Sequence, residues 1–225
     1  MPREKAMSQS QPLESVIYQG QFGEFSITDS DRWGVIIYRA GLISAAVSFA
    51  LGSMAILYFG VTPTILSLLT PLYAFFALGL GVSLLTIHIY LVPLHRTLQI
   101  FWLFGAISSV VLATKSSQPL VLFIYQNPIS IFGVGFLFAA LTGIYFKEAF
   151  CFNRLETKVL TPLVPLLLLG HLTGILSGQF EQILLASWAI LFVVFAARKA
   201  IQEIPPDIGD KSVFTYLKEQ KMAKT

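Results

Sequence analysis

Five stretches of the chain, residues 40–95, 97–114, 116–146, 159–180 and 182–197, contain no Asp, Glu, Lys or Arg. They hold 143 of the 225 residues, so every formal charge falls on the other 82. A charged side chain costs roughly 2.5–3.5 kcal/mol at the centre of a membrane helix, which is the pressure that clears such stretches. Only 12% of the chain is charged and 55% is hydrophobic, where a soluble domain carries roughly 25% charged residues. A disordered tail, a collagenous fibre, a disulfide-stapled secreted domain and an ordinary cytosolic enzyme are excluded. What remains is an all-α, polytopic membrane helix bundle.

Crossing a hydrocarbon core takes about 20 predominantly apolar residues. The first block is long enough for two spans, Ala40–Gly60 and Leu72–Val92, with Pro63 and Pro71 bracketing the turn and Pro93 ending the second span. The other blocks give Leu98–Thr114, Ile129–Phe146, Val159–Ser177 and Gln182–Ala197, for six transmembrane helices. Asn127-Pro128 marks a turn, and the apolar run Pro119–Tyr125 before it is too short to cross, so an interfacial or re-entrant piece is expected.

Orientation follows from Lys and Arg counted loop by loop. With both termini inside, Arg3, Lys5, Arg32, Arg39, Arg96, Lys147, Arg154, Lys158, Arg198, Lys199, Lys211, Lys218, Lys221 and Lys224 all lie on the inner side. Lys115 alone lies outside, a split of 14 to 1 that predicts an N-in/C-in bundle with an even number of spans. This bias also accounts for the net charge of +3, because anionic headgroups attract juxtamembrane cations. A nucleic-acid partner is not expected, since no basic run is interleaved with aromatics. Nor is a cleavable leader, since the first 30 residues lack an apolar core. The single cysteine, Cys151, leaves no intramolecular disulfide and no cysteine-built metal cluster.

Three regions result: a cytoplasmic tail over residues 1–30, a six-span membrane domain over 31–198, and a cytoplasmic C-terminal tail over 199–225. Val16–Ile27 holds two short β-prone runs around Gly20 and Gly23, which predict a small hairpin. A lone hairpin is marginal in water, so it must rest on the helices or on the C-terminal tail. Ser30 and Asp31 offer an N-cap for the first span. Pro205-Pro206 breaks the last helix, and Asp210 or Ser212 can cap a short amphipathic helix over Val213–Gln220.

Small residues recur at four-residue spacing: Ser44, Ser48 and Gly52 on span one, Gly135, Ala139 and Gly143 on span four, and Gly170, Gly174 and Gly178 on span five. Such ladders let helix backbones approach closely, within the bundle or between two copies in a homodimer. Ionisable groups in a membrane are costly and often functional, which directs attention to His171, His88 and His95. Counting along the spans places His171 about 18 Å and His88 about 6 Å from the inner edge, too different in depth to clamp one haem between them. Neutral, hydrogen-bonded histidines are the plain reading. Axial ligation of a chlorophyll or haem by His171 or His88 singly is the sharper one. The loop Lys147–Lys158, with Lys147, Glu148, Cys151, Arg154, Glu156 and Lys158, reads as a charged cytoplasmic turn able to hold an anion or dock a protein partner.

His171 to Gly178 reads HxxGxxxG, which resembles the histidine-bearing helix of rhomboid intramembrane proteases. An enzyme of that kind needs a serine within reach of the histidine, and Gly133-Val134-Gly135-Phe136 supplies none. There is no phosphate-binding GxxxxGK[ST] and no HExxH zinc pair. No catalytic constellation is present, so an enzyme is not expected. No buried carboxylate is expected inside any span, Glu181 falling between the last two, which weighs against an ion-coupled transporter.

Four longer runs carry a wider likeness: Tyr18-Gln-Gly-Gln-Phe-Gly-Glu-Phe25, LLTIHIYLVPLHR, TGIYFKEAFCFNRLETK and IPPDIGDKSVFTYLKEQ. From about Val16 to Gln220 the chain resembles a cyanobacterial family of uncharacterised integral membrane proteins, a domain-of-unknown-function family. The resemblance implies a thylakoid or plasma membrane and brings no activity or cofactor with it. The expectation is therefore a non-enzymatic accessory, assembly or protein-interaction factor acting through its cytoplasmic face. A transporter or channel for a small solute, with a pocket near His171, Thr173, Pro162 and Pro165, is the alternative.

Overall fold

The computed structural model describes residues 17–222. Arg3, Lys5, Val16 and Lys224, used above, lie outside that range. The elements run β1 (Ile17–Gly20), β2 (Gly23–Ser26), α1 (Asp29–Phe59), α2 (Pro63–Thr86), α3 (Val92–Lys115), α4 (Leu120–Gln126), a single 3-10 turn (Pro128–Ser130), α5 (Ile131–Phe152), α6 (Leu155–Thr173), α7 (Gly178–Ile201), α8 (Pro205–Ile208) and α9 (Ser212–Met222). Among the described residues six helices, α1, α2, α3, α5, α6 and α7, are long and apolar enough to cross a membrane. The protein is a polytopic helical membrane bundle.

The spans run past the charge-free blocks at their charged ends. Arg39 lies a third of the way along α1, Lys147 and Glu148 lie in the last turns of α5, and Lys199 lies in the last turn of α7. A charge ends a span only when it has to reach water, and these are paired inside the protein. Prolines correct two boundaries. The link between α1 and α2 is only Gly60–Thr62, so Pro63 opens α2 and Pro71 lies within it. Pro93 opens α3 rather than closing α2, leaving Ile87–Leu91 as the connection. Proline suits a first turn because its missing N–H would have had no helical partner there. The cap of α1 also moves, from Ser30 to Thr28. Thr28 Oγ1 accepts the Asp31 N–H while the Asp31 carboxylate accepts the Thr28 N–H, a reciprocal capping box.

The helices are arranged so that α1 packs on α2 and α7, α3 on α5, and α6 between α5 and α7. Lipid gives apolar side chains no reason to desert it, so association depends on close fit. At the α1–α2 crossing a Cβ added to Gly41 would lie 2.6 Å from the Gly79 carbonyl oxygen, and the reverse holds for Gly79. Only glycine admits that approach. Ser48 and Gly52 of the first ladder are buried and Ser44 adjoins Gly79. The interior is filled by Leu42, Phe76, Leu80, Leu137, Leu141, Tyr145, Trp188 and Phe192. Polar groups within it find partners: Trp102 Nε1 donates to the Ala77 carbonyl at 2.8 Å, and the Tyr73 and Ser109 hydroxyls lie 2.6 Å apart.

The other two ladders do not hold. Gly135 and Ala139 line an open apolar groove between α5 and α6 with Phe132, Pro165 and Leu168, while Gly143 faces Leu98 of α3. In the third, α6 stops at Thr173, with Gly174 as a left-handed cap (φ 66°) and Gly178 starting α7. Gly170, Gly174 and Gly178 therefore share no helix face. A Cβ at Gly174 or Gly178 would touch nothing within 4 Å. The spacing was right, but the glycine in its middle ends the helix. Pro119–Tyr125, expected as a short non-crossing piece, is the two-turn α4 and its N-cap.

The hairpin forms as expected, Ile17 pairing Ser26 and Gly20 pairing Gly23 in antiparallel register. It rests on the C-terminal tail. The Gln21 N–H donates to Asp210 Oδ2 at 2.6 Å and the Phe22 N–H to Ser212 Oγ at 3.0 Å. The Phe22 ring stacks on Tyr216 at 4.0 Å, and Lys211 Nζ reaches Asp31 at 2.7 Å. The α2–α3 connection joins this clasp through Tyr90, whose ring lies 5.0 Å from Phe214.

Candidate functional site

The end of the bundle that carries the clasp contains a buried network of charges. Lys199 of α7 and Glu148 of α5 are both wholly shielded, and Lys199 Nζ lies 2.6 Å from Glu148 Oε2. Lys199 also pairs with the other oxygen-bearing arm of the network, Asp207 Oδ1 in α8. Arg39 grips Asp207 Oδ2 through Nε at 2.9 Å and Nη2 at 2.7 Å. The rest of its guanidinium donates to the carbonyls of Gln202 at 2.6 Å and Glu203 at 2.8 Å. Lys147 Nζ caps the free oxygen of Glu148 at 2.8 Å, and the Tyr38 hydroxyl donates to the same atom at 3.3 Å. The Phe152 ring lies 4.1 Å from Lys199 Nζ, in cation–π range.

The sequence explains the placement. Residue 202 is past the end of α7 and Pro205-Pro206 restarts the chain as one helical turn, which turns Asp207 back under the bundle. Arg39, at the inner end of α1's apolar stripe, meets it there. A buried ion pair is stable only where hydrogen bonds satisfy the remaining lone pairs and protons. This one meets that condition, because each oxygen of Glu148 and Asp207 has a donor.

A second branch joins α6 to α7. Arg198 Nη1 donates to Glu156 Oε2 at 2.9 Å, and Arg154 Nη2 to the Gln202 side-chain oxygen. Arg154 Nη1 and Glu156 Oε1 are buried without a protein partner. These positions correct the expected cytoplasmic docking loop. Its twelve residues are almost entirely helix, with Asn153 and Arg154 alone between α5 and α6. Asn153 takes the left-handed conformation that makes so tight a turn possible (φ 51°). Glu148 and Glu156 face inward, and of the six expected docking residues only Cys151 and Lys158 are exposed. The expectation that the spans hold no carboxylate is overturned by the same two residues.

At the opposite end, His171 sits in the last turn of α6, 16 residues on from Leu155 or about 24 Å along the axis. It is therefore nearer the far surface than the mid-membrane depth expected. Nδ1 lies 2.7 Å from Glu181 Oε1 in the first turn of α7, and Nε2 lies 3.0 Å from the Tyr125 carbonyl of α4. The Tyr125 ring stacks on the imidazole at 4.8 Å, and its hydroxyl donates to Glu181 Oε2 at 3.3 Å. Burial and the Glu181 carboxylate both push the Tyr125 hydroxyl upward, so it stays a donor. An axial bond from His171 to chlorophyll or haem would have to displace one of these contacts.

His88 is outside α2 altogether, in the Ile87–Leu91 connection on the clasp side, half-buried near Gly34. Burial holds its imidazole below the usual histidine range. His88 and His171 thus belong to opposite ends of the bundle, and no single group can span them. His95 Nε2 contacts the Leu84 carbonyl at 2.7 Å, tying the α2 end to α3. Among the described residues no three His, Cys, Asp or Glu converge as metal ligands.

A family model described as an uncharacterized integral membrane protein (DUF2301) matches residues 82–216, from the end of α2 into the first half of α9. No curated protein and no solved structure matches the chain.

Proposed function

The chain belongs to the DUF2301 family of uncharacterized integral membrane proteins, and on that premise we propose a non-enzymatic accessory or assembly factor of a cyanobacterial thylakoid or plasma membrane. In this reading the clasp end faces the cytoplasm, as the distribution of Lys and Arg requires. The observation that carries the reading is how the buried charges are used. Arg39, Glu148, Lys199 and Asp207 are satisfied by one another, and what they secure is the tail. They fix α8 against the bundle, and through it the hairpin and α9, as a platform outside the spans. A docking surface held in place before its partner arrives loses less entropy on binding.

The test is purification of a tagged chain from its native membrane in mild detergent, followed by identification of co-purifying proteins and an absorption spectrum. Recovery of a membrane protein in stoichiometric amount, lost in Arg39→Ala, supports the proposal. Purification alone, with no partner at near-stoichiometric yield, overturns it. A Soret or chlorophyll band abolished by His171→Ala or His88→Ala would replace it with a pigment or haem role. Thiol labelling at the exposed Cys151 from the cytoplasmic side only is the result the orientation requires.

Transport of a small solute is the second reading, favoured by one observation: Glu148 and Glu156 are buried carboxylates inside spans, the residue type that ion-coupled carriers use. Uptake by vesicles holding the purified chain, abolished in Glu148→Gln, would put this reading first.

A further inference from the structure

The contacts of His171 require one proton more than a neutral imidazole and an ionised Glu181 hold between them. A backbone carbonyl only accepts, so Nε2 must carry hydrogen to hold the Tyr125 oxygen at 3.0 Å. Nδ1 faces a carboxylate oxygen at 2.7 Å. A neutral imidazole has one N–H, and an ionised carboxylate has none. Both contacts form together only when one further proton is held, either on the ring as imidazolium or on Glu181 as the acid donating to Nδ1.

We infer that His171 and Glu181 form a proton-binding latch that fastens α4 to α6 and α7, closed when the pair holds that proton and open when it does not. The ionisable groups facing the ring are Glu181 from α7 and the Tyr125 hydroxyl from α4; no other ionisable side chain hydrogen-bonds to any of the three among the described residues. On release of the proton, the one remaining N–H stays with the carboxylate, because that bond is charge-assisted and roughly twice as strong as a neutral one. The imidazole then presents a lone pair to the Tyr125 carbonyl, and the two repel. The carbonyl is in the last turn of α4, a helix of only seven residues. In the orientation proposed above, the latch faces the compartment outside the cytoplasm and responds to its acidity.

Two measurements on the full-length protein in lipid nanodiscs decide the matter. The first is the 15N chemical shifts of ring-labelled histidine in a His88→Gln/His95→Gln background, which leaves His171 as the one labelled ring. Protonation at both nitrogens, or a strongly hydrogen-bonded Nδ1 beside a protonated Glu181, is expected at low pH. A ring that loses the Nε2 proton on raising the pH completes the expected result. An Nε2–H tautomer unchanged across the titration, beside an ionised Glu181, overturns the proposal.

The second is amide exchange over residues 120–127, corrected for intrinsic rate. It should rise about fivefold on deprotonation, the effect of one lost hydrogen bond. His171→Gln, with a single donor group and no titration in this range, should abolish that rise. An unchanged pH response in the variant would also overturn the latch. Neither readout depends on a partner protein, so the accessory reading stands or falls separately.

Discussion

The two ends of this bundle handle charge in opposite ways. At the clasp end, Arg39, Lys199, Glu148 and Asp207 are sunk among helix ends, shielded from solvent and tied through several bonds each. At the far end, His171 and Glu181 meet in the outermost helical turns, partly open to solvent, with one hydrogen-bond partner each from α4, the Tyr125 carbonyl and the Tyr125 hydroxyl. A network with redundant partners is indifferent to a single proton, while a three-residue contact can turn on one. The difference teaches that placement, more than residue type, decides whether a charge in a membrane protein is structural or responsive.

The largest expected effect breaks the network at its centre. Lys199→Ala strips the buried Glu148 Oε2 of its one partner and Asp207 Oδ1 of its cation, which should cost about 3–5 kcal/mol in thermal unfolding of the purified protein. His171→Ala at the far end should cost about 1 kcal/mol, on the scale of a partly exposed pair. Equal losses would erase the contrast. Next, Arg39→Ala should cost about 3 kcal/mol and free the tail, seen as new trypsin cleavage at Lys211. A tail that stays protected would mean that the hairpin alone holds it.

Phe22→Ala removes the stack on Tyr216 and should cost about 1 kcal/mol. Its effect should be confined to faster amide exchange in β1, β2 and α9. The smallest effect is on pH dependence. His88 is held below the ordinary histidine range by burial, so the unfolded chain binds its proton first. The stability it contributes is present at neutral pH and declines as pH falls below about 6.5. Asp210 is held below the usual carboxylate range by bonds from Ser212 and the Gln21 backbone, so its share is lost only at still lower pH. Acidification should thus loosen the clasp end while fastening the far end, as exchange mapped region by region would register. His88→Gln should remove the first acid step and leave the far end unchanged.

The six spans could be read directly, because lipid penalises charge so heavily that the uncharged blocks outline the helices. The hairpin was legible as well, from Gly20 and Gly23 between β-prone runs. The buried network was not, because a charge beside an apolar block reads as the point where the helix meets water. Lys199 contradicts that rule through Asp207 and through Glu148, 51 residues away, and Arg39 through Asp207, 168 residues away. One signal was present: opposite charges at the ends of several blocks that the topology brings to one side. The third glycine ladder failed for a local reason. Gly174 fits a small-residue stripe and a left-handed helix end equally well by type, and Ser177-Gly178 just beyond it marks a fresh start.

The clasp also imposes an order on how the protein is made. The hairpin precedes every span and so leaves the ribosome early, yet the atoms that hold Gln21 and Phe22 belong to residues 189 and 190 positions further on. Until translation has passed Ser212 and the last helix has been inserted, those backbone groups have no partner in the finished fold. Closure of the clasp therefore reports that α7 is in place and that the segment after it has folded back onto the hairpin.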